Sequence, residues 1–221
     1  MDVKSIGVVG AGQMGNGIAH VMAVAGYDVL LNDISQDALD AAVGRIDKNL
    51  ERQVSREIIS ASDKAAAMGR IRTTLSLPAL GGTDLVIEAA TEREEIKHQI
   101  FDTLLPHLKP DTLLTTNTSS ISITRLASRT DRPERFMGFH FMNPVPLMKL
   151  VELIRGIATD EETYQTCLGI VERLDKTAAS AEDYPAFIVN RILIPMINEA
   201  CYALYEGVGN VASIDNAMKL G

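Results

Sequence analysis

The 221-residue sequence has no tryptophan, only two cysteines and only 5% aromatic residues. It also lacks a positive charge balance, because 29 acidic residues against 21 lysines and arginines give a formal net charge of −8. This composition argues against a nucleic-acid partner, since general binding to nucleic acid relies on an excess of lysine and arginine. Any anionic ligand must therefore be met by a local basic patch or by the N-terminus of a helix.

Cys167 and Cys201 have neither CxxC nor zinc-site spacing, so we expect two buried, reduced thiols without a disulfide between them. No cluster of metal-ligating residues is recognisable in the sequence. No apolar run approaches the length of a membrane span, and a strand is expected within the first few residues, which leaves no room for a signal peptide. These absences favour a cytoplasmic protein that uses neither a metal nor a membrane.

Short apolar runs alternate with segments of helical periodicity along most of the chain. We expect strands at residues 6–9, 28–31, 85–87 and 112–116, and helices at 13–25, from 36 into the fifties, 94–105 and 123–127. This alternation predicts an α/β fold of Rossmann type, with a mostly parallel sheet covered by helices on both faces. Two more strands are expected near 136–141 and 148–154, and the pattern is helical from Thr159 onward.

The last part of the chain has a different pattern and predicts a second domain, so we divide the chain into residues 1–183 and 184–221. Apolar residues surround the helix expected at 185–204 instead of forming one stripe, and such a helix must be buried on all sides. Pro195 is expected to kink it. One more short helix, about 213–220, is too little to cover this surface. Either another subunit covers it, or the helical domain is incomplete in this chain.

A glycine-rich segment between the first strand and the first helix carries the clearest chemical signal. Gly10, Gly12 and Gly15 have the spacing of a dinucleotide-binding fingerprint, in which glycines allow a tight turn and close approach of the pyrophosphate. Asp33 follows the second strand, where a carboxylate binds the ribose hydroxyls and repels a 2′-phosphate. Because no arginine follows Asp33 directly, the motif favours NAD over NADP.

Of the four histidines, only His140 is expected at the end of a strand, where open parallel sheets bind their ligands. If the strands around residues 143–146 pair antiparallel, Glu152 can face His140 and orient it as a general base. Spacing alone allows Lys149 as the neighbour equally well. Residues 117–120, Asn-Thr-Ser-Ser, also follow a strand and are expected either to bind a ligand or to form a simple turn and helix cap.

With these residues identified, the whole chain resembles the short-chain L-3-hydroxyacyl-CoA dehydrogenases, particularly the bacterial 3-hydroxybutyryl-CoA dehydrogenases. Six motifs carry the resemblance: Gly10-Ala-Gly-Gln-Met-Gly15, Leu85-Val-Ile-Glu-Ala-Ala-Thr-Glu92, Asn117-Thr-Ser-Ser120, His140-Phe-Met-Asn-Pro-Val-Pro146, Met148-Lys-Leu-Val-Glu152 and Phe187-Ile-Val-Asn-Arg191. Met142 and Ala186 depart from the usual Phe and Gly of the family. Members of the family also continue past Gly221 with more helices, so the chain is expected to be truncated.

The resemblance implies a reversible, NAD-dependent oxidation of an L-3-hydroxyacyl-CoA in fatty-acid or butanoate metabolism, by an enzyme that is a homodimer at full length. It implies that His140 is the base, that Glu152 orients it, and that Ser119 and Asn190 contact the substrate. The implied NAD contacts come from the glycine motif and five other residues: Gly10, Gly12, Gln13, Met14, Gly15, Asp33, Glu92, Lys97, Ser119 and Asn143.

CoA is strongly anionic, and the helix after Asp33 offers a basic face for it. Arg45, Lys48, Arg52 and Arg56 fall on one side at 3.6 residues per turn, opposite an apolar stripe of Leu39, Val43, Ile46 and Leu50. Lys48 and Arg52 are therefore candidate CoA-binding residues, although a merely solvated face is an equal alternative.

Two other functions remain open from the sequence. One is a dehydrogenase of the same fold that acts on another substrate, such as 3-hydroxyadipyl-CoA or L-gulonate. The other is a catalytically weak or silent NAD-binding protein, against which the presence of both His140 and Glu152 argues.

Overall fold

A computed structural model describes all 221 residues and contains one eight-stranded sheet in the order β3-β2-β1-β4-β5-β6-β7-β8. The strands are β1 Ser5–Val9, β2 Asp28–Asn32, β3 Ile71–Thr74, β4 Leu85–Glu88, β5 Leu113–Thr116, β6 Phe136–Phe141, β7 Leu150–Arg155 and β8 Thr177–Glu182. All neighbours pair parallel except β6 and β7, which are antiparallel. The strand order reverses direction between β1 and β4, and ligands of such sheets bind beside that point.

Eight α-helices accompany the sheet: α1 Gln13–Val24, α2 Gln36–Ser55, α3 Ala61–Arg70, α4 Glu94–Leu104, α5 Ile123–Ala127, α6 Glu161–Arg173, α7 Val189–Tyr205 and α8 Val211–Leu220. Buried side chains of α1, α2 and α6 join one apolar cluster of 28 residues, and those of α4 and α5 join a second cluster of 14. In β6, Met137 and Phe139 belong to the first cluster and Phe136 to the second, because successive strand residues point to opposite faces. The predicted α/β fold of Rossmann type is confirmed.

The edges of the sheet differ from the sequence-based prediction. The prediction of helix throughout the chain after Thr159 is wrong, because β8 follows α6 and pairs with β7. At the opposite edge, α3 and β3 have no counterpart in the prediction. Both missed strands are partly exposed and rich in polar or small residues, IRTT and TAASAE, so they lack the apolar run by which a buried parallel strand is recognised.

The helices α7 and α8 contain no buried residue. The predicted helix around residues 185–204 exists, and the expectation that something beyond these 221 residues covers it stays a prediction. Cys201 on α7 is exposed, which corrects the expected burial, whereas Cys167 is buried and both thiols are free. The division of the chain at residue 184 also stays a prediction. None of the helices is long and apolar enough to cross a bilayer.

Candidate active site

The glycine loop between β1 and α1 fits a dinucleotide phosphate closely. Gly10 has φ +96°, and a side chain there would meet the Ala89 carbonyl oxygen at 2.7 Å. A side chain on Gly15 would collide with the Gly10 carbonyl, whereas the space over Gly12 is open. Gly12 is the N-cap of α1, with no side-chain cap and no acidic residue in the first turn. The N-terminus of α1 is therefore free to donate hydrogen bonds to a pyrophosphate.

Asp33 lies just after β2 and is attached to this loop. Its Oδ2 accepts a hydrogen bond from the Ala11 N–H at 2.7 Å, and its Oδ1 accepts one from the Ser35 N–H at 3.1 Å. The carboxylate is thus held beside the glycine turn, as a ribose-binding residue requires. Arg45, on α2, donates to the carbonyl of the same residue, Ala11, at 3.3 Å.

His140 and Glu152 are direct partners in the antiparallel β6–β7 pair. The Nδ1 of His140 lies 2.7 Å from Oε2 of Glu152, with Glu152 fully buried and His140 only 6% exposed. Lys149, the alternative neighbour, instead contacts Asp175 at 2.7 Å. A carboxylate on Nδ1 holds the proton there and leaves Nε2 of the imidazole as the basic atom.

The second carboxylate oxygen of Glu152 is also occupied. Oε1 accepts hydrogen bonds from the backbone N–H groups of Ile188 at 3.0 Å and Val189 at 2.9 Å. Burial by itself raises the pKa of Glu152, but the hydrogen bonds from His140, Val189 and Ile188 outweigh it, and the pKa lies below its usual value. Glu152 is therefore a carboxylate at neutral pH although it is buried.

Ser119 follows β5 and is tied to Glu92. Oε1 of Glu92 accepts both the Ser119 N–H at 2.5 Å and the Ser119 hydroxyl at 2.6 Å, and its Oε2 accepts the Thr118 hydroxyl at 2.8 Å. The Asn190 side-chain amide donates to the Ser119 carbonyl at 3.4 Å, which brings the start of α7 to the same place. On the other side of the cleft, the Gln13 amide donates to Asn143 Oδ1 at 3.0 Å.

Lys97 on α4 reaches the floor of the site through a buried ion pair that the sequence analysis did not identify. Its ammonium lies 2.5 Å from Oε2 of Glu88, at the end of β4, and the same oxygen accepts the Thr116 hydroxyl at 2.7 Å. Glu88 is fully buried and Lys97 is 2% exposed. The sequence did contain a signal for this pair. Glu88 ends the buried apolar run Leu85-Val-Ile, and a buried carboxylate requires a partner of opposite charge.

One cleft at the carboxyl edge of the sheet brings most of the predicted residues together. Its lining includes Met14, Glu92, Lys97, Ser119, His140, Asn143 and Asn190. Glu152 and Asp33 do not line this cleft: Glu152 contacts His140, and Asp33 contacts the glycine loop at Ala11. Asn117 also lines the cleft, and its Oδ1 fixes the end of β6 by accepting the Phe141 N–H at 2.8 Å.

A second cleft borders the first one at Asn143 and is lined by Gly12, Gln13, Asn16, Arg45 and Asn49 among others. Lys48 and Arg52 do not line it, but both are exposed on the same helix as Arg45. Leu39, Ile46 and Leu50 are fully buried on the opposite stripe of α2, as the spacing predicts.

Comparison with known proteins adds the following findings. Residues 5–184 match the family model described as 3-hydroxyacyl-CoA dehydrogenase, NAD binding domain, and residues 187–221 match the C-terminal domain of that family. A 3-hydroxybutyryl-CoA dehydrogenase of Bradyrhizobium diazoefficiens is 60% identical over 99% of this chain and 75% of its own length. The 3-hydroxyadipyl-CoA dehydrogenase of Escherichia coli is 42% identical over 100% of this chain and 46% of its own length.

Among solved structures, the (S)-3-hydroxybutyryl-CoA dehydrogenase of Ralstonia eutropha superposes with a TM-score of 0.97 at 44% identity. The match covers 100% of this chain and 78% of that one. An NAD-dependent dismutase, 5-formyl-3-hydroxy-2-methylpyridine 4-carboxylic acid 5-dehydrogenase, superposes with a TM-score of 0.90 at 28% identity, over 100% of this chain and 71% of that one. The same architecture therefore serves more than one substrate.

Proposed function

The chain belongs to the 3-hydroxyacyl-CoA dehydrogenase family, whose members are NAD-dependent oxidoreductases, and we propose that its His140–Glu152 pair carries the proton transfer of this reaction. The reaction is the reversible oxidation of an L-3-hydroxyacyl-CoA to the 3-oxoacyl-CoA. The observation that carries the proposal is the 2.7 Å contact between His140 Nδ1 and Glu152 Oε2 at the wall of the cleft.

In the oxidation, Nε2 of His140 takes the proton of the 3-hydroxyl group. Glu152 remains ionised, keeps the second proton on Nδ1 and stabilises the imidazolium that forms. NAD, when bound, would accept the hydride that leaves C3. In the reverse reaction His140 returns its proton to the 3-oxo oxygen.

Ser119 and Asn190 are proposed to orient the substrate oxygen, because both line the cleft beside His140. The Ser119 hydroxyl donates its hydrogen to Glu92. The lone pairs of its oxygen can therefore accept a hydrogen bond from a substrate or ribose hydroxyl. The proposed NAD contacts are the glycine loop with Gln13 and Met14, together with Asp33, Glu92, Lys97, Ser119 and Asn143. Lys97 lines the cleft with its ammonium paired to the buried Glu88.

For the substrate, we propose a short acyl-CoA, 3-hydroxybutyryl-CoA first, because several relatives bear that name. The basic face of α2 is proposed to bind the CoA phosphates through Lys48 and Arg52. Arg45 supports this proposal, since it lines the second cleft, which continues from the reaction site toward α2.

The test is a steady-state assay of acetoacetyl-CoA reduction with NADH and with NADPH, using the wild type and His140→Gln. Loss of the base is expected to lower kcat about 100-fold or more with little change in NADH binding. The control is His107→Gln, because His107 is exposed and does not line the cleft, and this variant is expected to keep full activity. Normal turnover by His140→Gln would remove His140 from the mechanism.

A dehydrogenase for 3-hydroxyadipyl-CoA is the second candidate, favoured by the relative of that name in Escherichia coli. Assays across 3-hydroxybutyryl-CoA, 3-hydroxyadipyl-CoA and free L-gulonate separate the substrates by kcat/KM. A catalytically silent NAD-binding protein would show NAD binding with none of these activities.

We further propose that the protein is a cytoplasmic homodimer. The free thiols Cys167 and Cys201 are consistent with a reducing compartment. The exposed apolar side chains of α7 are consistent with a subunit interface.

A further inference from the structure

The carboxylate of Glu152 contacts two parts of the molecule at once. Its Oε2 binds the His140 imidazole, and its Oε1 accepts the N–H groups of Ile188 and Val189. Val189 is the first residue of α7, and Ile188 is its N-cap, which provides no side-chain cap of its own. Glu152 therefore replaces the missing cap with a charge from the sheet, where the helix dipole favours a carboxylate.

The two residues before Ile188 have an unusual backbone conformation. Ala186 and Phe187 have φ of +65° and +54°, so two consecutive non-glycine residues adopt the left-handed conformation. Such residues are costly and persist only where surrounding contacts hold them. The contacts here include two backbone hydrogen bonds, Phe187 N–H to the Tyr184 carbonyl at 3.0 Å and Arg191 N–H to the Ala186 carbonyl at 3.2 Å. They also include the two hydrogen bonds to Glu152 and the burial of Phe187, whose ring centroid lies 5.9 Å from that of His140.

No residue of α7 is buried, and the contacts of the helix with the sheet described above lie at its N-terminus. Asn190 is one residue beyond the Glu152 contact and reaches the Ser119 carbonyl in the cleft. Upstream, Asp183 holds the chain by accepting hydrogen bonds from the Ser122 hydroxyl and the Ile123 and Thr124 N–H groups. The turn from Tyr184 to Phe187 thus runs between two carboxylate anchors.

We propose that Glu152, besides orienting His140, is a positioning residue for the Asn190 amide, which it places through the start of α7. Docking of α7 and the orientation of the base share one carboxylate and are therefore thermodynamically linked. This proposal deepens the proposed function and rests on it for the role of Asn190. The contact itself can be tested without any activity measurement.

The first experiment measures amide hydrogen exchange at Ile188 and Val189. Glu152→Ala removes both contacts, and exchange of the two amides is expected to become about tenfold or more faster. The Ile123 and Thr124 amides, held by Asp183, are the internal control and keep their rates. Glu152→Asp, one methylene shorter, serves if the alanine variant does not fold. Unchanged exchange at Ile188 and Val189 in both variants would overturn the proposal.

Glu152→Gln separates the two roles. Its amide oxygen still accepts the two N–H groups, so exchange is expected to stay within about threefold of wild type. Its amide nitrogen, however, donates toward His140 Nδ1 and imposes the wrong tautomer, so kcat falls about 100-fold with KM for acetoacetyl-CoA unchanged. Glu182→Gln, at an exposed carboxyl group at the end of β8, is the matched control and changes neither quantity. Fast exchange in Glu152→Gln equal to that in Glu152→Ala would contradict this separation.

A double-mutant cycle then connects Glu152 to Asn190. We expect Glu152→Ala and Asn190→Ala each to raise KM for acetoacetyl-CoA about tenfold, and the double variant to raise it no further. If the KM of the double variant instead rises by the product of the two single effects, Glu152 does not act through Asn190. Absence of turnover in the wild type would instead defeat the proposed function, and the exchange result would stand independently.

Discussion

At the residue scale, His20 is a buried titratable group outside the reaction site. Its Nε2 lies 3.2 Å from the Gln53 amide nitrogen and its Nδ1 has no hydrogen-bond partner. Burial, and after it the positive charge of Lys176, lower the pKa of His20 from 6.5 to about 4. The folded protein therefore keeps this imidazole neutral at pH values where the unfolded chain protonates it.

The stability that depends on neutral His20 is present above pH 6.5 and is lost as the pH falls toward 4. The shift corresponds to about 3 kcal/mol of unfolding free energy over that interval. Urea unfolding at a series of pH values is expected to show a smaller loss for His20→Phe than for the wild type. His107→Phe, at an exposed position, should follow the wild type. Identical pH dependence of all three proteins would refute the lowered pKa.

Ala186 is the second residue with a separable effect, because its φ of +65° is a conformation that glycine adopts without strain. Ala186→Gly is expected to raise the free energy of unfolding by about 1 kcal/mol, since the relief of strain exceeds the entropy gained by the unfolded chain. Ala65→Gly, at an exposed position inside α3, should lower it by about the same amount. Urea unfolding measures both, and destabilisation by Ala186→Gly would show that the turn is not strained.

At the element scale, α2 has a buried stripe and an exposed basic face. Leu39, Ile46 and Leu50 are fully buried, while Lys48 and Arg52 are exposed and take part in no ion pair. Burial of this stripe stabilises α2 without any contribution from Lys48 or Arg52. Charge reversal on the basic face therefore tests ligand binding without disturbing the fold.

We expect the double variant Lys48→Glu/Arg52→Glu to raise KM for the CoA ester about tenfold, because two attractive charges become repulsive toward the CoA phosphates. The affinity for NADH should not change. The control is Arg72→Glu/Arg129→Glu, which makes the same change of net charge at two other exposed positions. An unchanged KM, or an equal rise of KM in the control, would show that this face is only solvated and does not bind CoA.

At the scale of the whole molecule, the apolar surface is concentrated on the two last helices. Ile192 is 64% exposed, Ile197 50% and Met218 63%, and a groove between α7 and α8 is lined mostly by apolar side chains. Monomeric proteins rarely expose so continuous an apolar surface. The sheet domain, in contrast, has its two apolar clusters enclosed by helices.

The chain is therefore expected to self-associate, and analytical ultracentrifugation at micromolar concentration should detect species heavier than 24.0 kDa. Ile197→Glu should shift the distribution toward the monomer, because it places a charge inside the apolar contact. Ile157→Glu, at a residue that is 90% exposed on the sheet domain, is the control. A monomer at all concentrations would contradict the expected interface.

The sequence alone determined the nucleotide-binding unit, the strand positions that bear His140 and Glu152, and the buried stripe of α2. These features follow from local rules: glycine spacing after a strand, the period of an apolar stripe, and the alternation of strands with helices. Even the His140–Glu152 pairing was predictable as a possibility, because twelve residues around a proline-rich loop suit an antiparallel pair.

Only the tertiary structure decided the contacts between segments that are distant in sequence. The edge strand β8, the anchoring of Asp183 on the start of α5, and the capping of α7 by Glu152 depend on which surfaces meet after folding. The periodicity of the sequence does not predict these contacts. A carboxylate that caps a helix 36 residues away has the same sequence pattern as any other strand residue. The same holds for the choice between Glu152 and Lys149, which the register of β6 and β7 settles geometrically.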